Sequence, residues 1–220
     1  MKKICAVACT LAAGLLSAGS AGAAPIFDNG APNQQELAYA DTSYLYSIAA
    51  DDFTLTAGNN TIGAVNWWGA CTLNGGHCSG PGSFTLYFYN NSAGAPGSLI
   101  TSISVGNANQ TLTGISVQNA FDEYSYSAII PNLTLTAGTQ YWLGISNTTS
   151  GEQWGWEDSH IIGNSHSLCP SCNSGWTLSV LELAFNLEGP TSTVPEPVTL
   201  SLFGVGIAGA FAARRRKRNA

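Results

Sequence analysis

Phe84-Thr85-Leu86-Tyr87-Phe88-Tyr89 decides the fold of this chain. The stretch is aromatic with a β-branched Thr, the composition that a sheet interior prefers. Working outward, Ser83–Tyr89 reads as one strand, and short β-rich or alternating runs recur on both sides of it. They are Asp52–Thr56, Thr61–Trp68, Leu99–Val105, Thr111–Val117, Tyr124–Ile130, Leu133–Thr136, Gln140–Ser146, Gln153–Glu157 and Trp176–Leu187. Breakers separate them: Ala57-Gly58-Asn59-Asn60, Gly94-Ala95-Pro96-Gly97, Pro131-Asn132 and Ala137-Gly138. No helical period is sustained. About ten short strands in roughly 165 residues predict an all-β fold, an antiparallel β-sandwich of two sheets.

An internal echo supports two sheets. Phe53-Thr54-Leu55-Thr56-Ala57-Gly58 and Leu133-Thr134-Leu135-Thr136-Ala137-Gly138 are each followed by a run bearing Trp and then Gly. Both read as a strand, a tight Gly-dependent turn and a returning strand. The two copies suggest similar halves packed face to face.

Charge is distributed unevenly. All 7 Lys and Arg of the 220 residues are Lys2, Lys3, Arg214, Arg215, Arg216, Lys217 and Arg218, while residues 24–193 hold 12 of the 13 acids. That stretch has a formal charge of −12, against −6 for the whole chain. A domain without cations has nothing to neutralise phosphates, which excludes nucleic acid as a partner. Charged residues make up 9% of the chain, against about 25% in an ordinary domain, so neutral polar groups carry its solubility.

The ends read as addresses. Lys2 and Lys3, the short apolar run Ile4–Leu16 and the small-residue site Ala21-Gly22-Ala23 form a secretory signal peptide, residues 1–23, to be removed by signal peptidase. The apolar run is too short for a retained anchor. The body, 24–189, is the extracytoplasmic sandwich, and 190–197 form a linker ending in Val194-Pro195-Glu196-Pro197. Residues 198–213 carry no charge and read as a transmembrane helix, about 24 Å long at 1.5 Å per residue. The tail, 214–220, begins Arg214-Arg215-Arg216 and marks the cytoplasmic side.

Box, helix and basic tail, in that order, resemble the PEP-CTERM sorting signal. The resemblance implies recognition by an exosortase, a membrane protease-transpeptidase, with Pro195, Glu196 and Pro197 as the recognition box. It also implies a Gram-negative host that makes extracellular polysaccharide. The runs DDFTLTAGNNTIGAVNWWGA, FTLYFYNNSAGAPGSLI, LTAGTQYWLGISN and ELAFNLEG resemble the jelly-roll-like domain common among PEP-CTERM proteins.

Candidate site residues fall into three groups. Cys71, Cys78, Cys169 and Cys172 are an even set in an exported chain and read as disulfides, the local pairs Cys71–Cys78 and Cys169–Cys172 being favoured. A zinc site with His77, His160 and His166 and a redox C-x-x-C fit the spacing and compartment less well. The acidic pairs Asp51-Asp52, Asp122-Glu123 and Glu157-Asp158 read first as solvated surface acids, with a carboxylate pair for glycoside hydrolysis or a structural Ca²⁺ as alternatives. No Ca²⁺ or other cofactor is assigned. Trp154 and Trp156 share one strand face, either as a glycan platform or as core filling.

No enzyme signature occurs: there is no G-x-S-x-G, no H-E-x-x-H and no phosphate-binding Gly-rich loop. The reading is an exported, transiently anchored surface or matrix protein, structural or adhesive in extracellular polysaccharide. The alternative is a glycan-binding module or carbohydrate-active enzyme.

Overall fold

The computed structural model describes residues 25–41, 47–169 and 174–190, omitting the side chains of 160, 161, 169 and 174. The expected signal peptide, box, transmembrane helix and basic tail lie outside the described residues, as does Cys172. Among the described residues no helix is long and apolar enough to cross a membrane, and only a 3-10 turn, Asn74–Gly76, is helical.

The rest is strand, in two antiparallel sheets. The larger is built around β4 (Thr61–Cys71), which pairs along one side with β8 (Phe121–Thr134). Along its other side, β4 pairs first with β14 (Phe185–Glu188) and then with β10 (Trp154–Ile162). β1 (Pro25–Asp28) flanks β14, β7 (Asn109–Val117) flanks β8, and β2 (Pro32–Tyr39) and β13 (Leu181–Leu183) flank β10. The smaller sheet runs β12 (Ser174–Leu178), β11 (His166–Cys169), β3 (Ile48–Thr54), β9 (Gln140–Asn147), β5 (Ser83–Ser92) and β6 (Ala95–Asn107).

β5 is the decisive stretch. Phe84, Leu86 and Phe88 are fully buried, while Thr85 and Tyr87 on the opposite face are half-buried. This two-residue period aims one face at the other sheet. The inter-sheet layer is aromatic. Phe84 meets Trp67 at 5.2 Å, Tyr126 at 4.9 Å and Trp154 at 5.0 Å, centroid to centroid, each edge-on. Phe53, Phe88, Tyr141 and Phe185 continue the layer toward the other end of the sandwich. Edge-to-face packing at these separations adds to the area each ring removes from water. Trp68, next to buried Trp67, is half-buried on the outer face, as adjacent strand residues require.

The two echoed motifs fold differently from the expected hairpins. Thr56–Asn60 carries the chain from β3 in the smaller sheet to β4 in the larger, and Leu135–Thr139 carries it back from β8 to β9. They are arches between sheets, and they lie side by side. Leu135 N donates to Asn60 O at 2.9 Å, and Gly138 N donates to Leu55 O at 2.8 Å. Leu55 and Leu135 turn inward as equivalent plugs. Gly58 and Gly138 hold φ of +84° and +73°, the left-handed region that favours glycine.

The expected break at Pro131-Asn132 is absent, because β8 continues through it. Ile129 pairs with Ala64 and Leu133 with Ile62, so three residues of β8 face only Gly63 across the ladder. Pro131 has no N–H to donate and is accommodated in this bulge. β1, β2 and β11 were not expected from sequence, and the run Trp176–Leu187, read as one strand, is divided among β12 in the smaller sheet and β13 and β14 in the larger.

Candidate functional site

Both tryptophans proposed as a glycan platform are core residues, which corrects that assignment. Trp154 and Trp156 share a face of β10 as their spacing requires, but it is the inner face, and neither ring has any exposure. Trp154 packs on Phe84 and Tyr126, and Trp156 packs on Phe185 while donating its Nε1–H to Ala184 O at 2.9 Å. No sugar can stack on either ring in this fold.

The expectation of solvated acids also fails for four of the six residues: Asp51, Glu123, Glu157 and Asp158 are buried, with Asp41 and Glu152 buried besides. With no Lys or Arg in the domain, amides and backbone N–H groups do the work of counter-ions. β2 supplies most of them through a bulge at Gln34, whose φ is +64°. Gln34 N donates to Glu157 Oε1 at 2.8 Å, and its Nε2 donates to Glu123 Oε2 at 3.0 Å. Asn33 Nδ2 donates to Asp158 Oδ2 at 2.7 Å, and Glu36 N to Asp158 Oδ1 at 3.0 Å. Asp51 accepts from Asn29 Nδ2 at 3.1 Å and from Leu183 N.

Burial, and then the negative charge of Glu123 beside it, pushes the Glu157 carboxyl up to about 8. Burial likewise holds Asp51 well above the usual carboxylate range, with Glu182 adding to the shift. Glu123 and Glu157 are thus two carboxyls from different strands that do meet. They meet under Gln34, which donates to both, and both are buried, so no glycosidic bond can reach them as hydrolysis requires. The oxygens of Asp158 and Asp51 that a Ca²⁺ would use already accept N–H groups.

The Cys71–Cys78 disulfide is formed, with S–S 2.03 Å. It closes the loop after β4, and Glu152 lies beside it with Oε2 3.6 Å from Cys71 Sγ while Oε1 accepts Ser79 N at 2.7 Å. Bonded sulfurs are not thiolates, so the Cys71, Cys78 and Glu152 cluster is a cross-link and not a metal ligand set. The second expected pair, Cys169–Cys172, depends on Cys172, which lies outside the described residues. His77 pairs with Asp122 on the surface, and His166 stands edge-on to Trp142 at 4.8 Å, so neither joins the cysteines.

One open feature was invisible in sequence: a cleft of about 420 Å³ between β2 and β11. Leu37 and Leu181 give it apolar walls, and Ser47, Ser165, Ser167 and Ser179 give it hydroxyls. No signal in the chain could have located it, because its walls come from β2, the start of β3, β11 and the segment before β13.

No curated protein matches the chain in sequence. Among solved structures, the cysteine protease and lectin-like domains of Cwp84, a surface layer associated protein of Clostridium difficile, align at 10% identity and a TM-score of 0.41, covering 65% of this chain and 32% of that one. Residues 193–217 match the model of the PEP-CTERM protein-sorting motif. The chain therefore carries, just beyond its last described strand, the sorting signal of an exported protein handled by an exosortase.

Proposed function

We propose that this chain is a structural or adhesive component of an extracellular polysaccharide matrix or cell surface, on a jelly-roll-like sandwich. A signal peptidase trims residues 1–23, an exosortase removes or exchanges the anchor at 198–213, and the host is a Gram-negative bacterium. The observation that carries the reading is the sorting motif at 193–217 following a cation-free domain. The Cys71–Cys78 disulfide suits an oxidising compartment. A non-enzymatic role is favoured because the carboxyl pair that comes together is sealed from substrate. The test is replacement of Pro195, Glu196 and Pro197 by alanine in the native host. The variant should accumulate uncleaved in the inner membrane. Arrival at the surface with normal mass would overturn the reading.

The second reading, a dedicated glycan-binding module, is favoured by the cleft between β2 and β11 and no longer involves Trp154 or Trp156.

A further inference from the structure

The cleft between β2 and β11 has a chemically selective wall. None of its lining residues is Asp, Glu, Lys or Arg, and the domain as a whole has no Lys or Arg at all. His166, the one titratable group on the wall besides Tyr39, is held toward its neutral form by burial, and its Nδ1 lies 2.8 Å from Asn164 O. An ion entering here would lose water and gain no partner of opposite charge, which is unfavourable.

The apolar and hydroxyl groups are mixed. Leu37 and Leu181 offer flat apolar contact, and both are only half-buried, so their surface is available. Ser47 is already committed, donating to Tyr39 O at 2.9 Å and accepting Asp41 N at 3.2 Å. Ser179 accepts only a long 3.4 Å contact from Leu181 N among the described residues, and Ser167 beside it is likewise half-buried, while Ser165 is sealed behind the wall. A wholly apolar occupant would leave the Ser167 and Ser179 hydroxyls unsatisfied, and a charged one would lose its hydration without gaining a partner. At about 420 Å³ the cleft sits in the range of small-molecule sites, and Tyr39, 42% exposed, stands at its rim with a ring free for stacking.

We infer that this cleft is a binding site for an uncharged sugar unit. The C–H face of the ring lies on Leu37 and Leu181, its hydroxyls exchange hydrogen bonds with Ser167 and Ser179, and a neighbouring unit stacks on Tyr39. The site gives the proposed adhesive role its ligand class, neutral polysaccharide, and rests on that role only for the biological setting.

The test uses the exported domain with its disulfide intact, titrated with methyl glycosides of glucose, galactose and mannose, with N-acetylglucosamine, with glucuronic acid, and with benzene as an apolar probe. Saturable amide shifts at residues 165–167 and 179–181 are expected with at least one neutral sugar and not with glucuronic acid. Ser179→Trp, which fills the cleft, should abolish them while the melting temperature holds. Should that variant fail to fold, Ser179→Ala serves instead and should weaken the affinity about tenfold, one lost hydrogen bond's worth. Three results would overturn the site: no saturable shift with any neutral sugar, equal binding of glucuronic acid, or binding of benzene alone. The box substitution reports on export in cells and this titration on the isolated domain, so either can fail while the other stands.

Discussion

Strand β10 holds two kinds of buried residue side by side. Trp154 and Trp156 face the opposite sheet and are held by shape, ring against ring. Glu157 and Asp158, the next two residues, reach under β2 and are held by counted N–H donors. Both halves have almost no exposure, yet they resist different insults. Aromatic packing is indifferent to pH. A carboxyl among amides is not, because its cost depends on whether it carries its proton.

The largest effect should come from the aromatic half. Trp156→Ala should cost about 3–5 kcal/mol in urea unfolding, and the deficit should be the same at pH 5 and pH 8. A loss below about 1 kcal/mol would mean that the ring is dispensable to the core.

The acidic half should show the opposite pattern. The folded state holds the Glu157 proton up to a pKa of about 8, while the unfolded chain releases it near the ordinary 4.5. Between those values the folded state binds more protons than the unfolded one, so this group's contribution to stability is complete at low pH and declines as pH rises. The slope is up to about 1.4 kcal/mol per pH unit, to which Asp51 adds in the same direction. Glu157→Gln mimics the protonated acid. It should unfold with nearly wild-type stability at pH 5 and with greater stability at pH 8. A variant less stable than wild type at both pH values would show that the charge itself is needed.

The smallest effect sharpens the comparison elsewhere, at the paired arches. Gly58→Ala and Gly138→Ala should each cost about 1 kcal/mol, since both positions sit at positive φ with nothing within 4 Å of an added Cβ. Similar costs in thermal melts would mark the arches as energetic equivalents. A neutral Gly138→Ala would break that equivalence.

What could be read from sequence followed local periodicity. Phe84–Tyr89 announces a sheet interior, and the one-residue offset of Trp67 and Trp68 announces opposite faces. The spacing of Trp154 and Trp156 fixes a shared face without saying which, because inner and outer positions recur with the same period. The T-L-T-A-G motifs gave a turn, but a turn into the same sheet and an arch into the other use the same residues. The buried acids left no local trace, since the amides of Asn33 and Gln34 that justify their burial lie more than 80 positions away. β2 hid for a related reason: a polar, bulged strand has no pattern until its partners are known.

The pairing of the first and last strands sets the mechanics of the domain. Pro25 lies opposite Glu188, and Gly63 is packed so tightly on Pro190 that an added Cβ would come within 2.6 Å of its Cα. The chain toward residue 24 and the chain toward the sorting motif therefore leave from one pole, beside the arches. Ten residues along β4, about 33 Å away at roughly 3.3 Å per residue, the Cys71–Cys78 loop caps the other. A pull between a tethered tail and anything gripped at that far pole runs lengthwise along β14. It loads the hydrogen bonds to β4 and β1 in shear, all together, where a perpendicular pull would open them one by one.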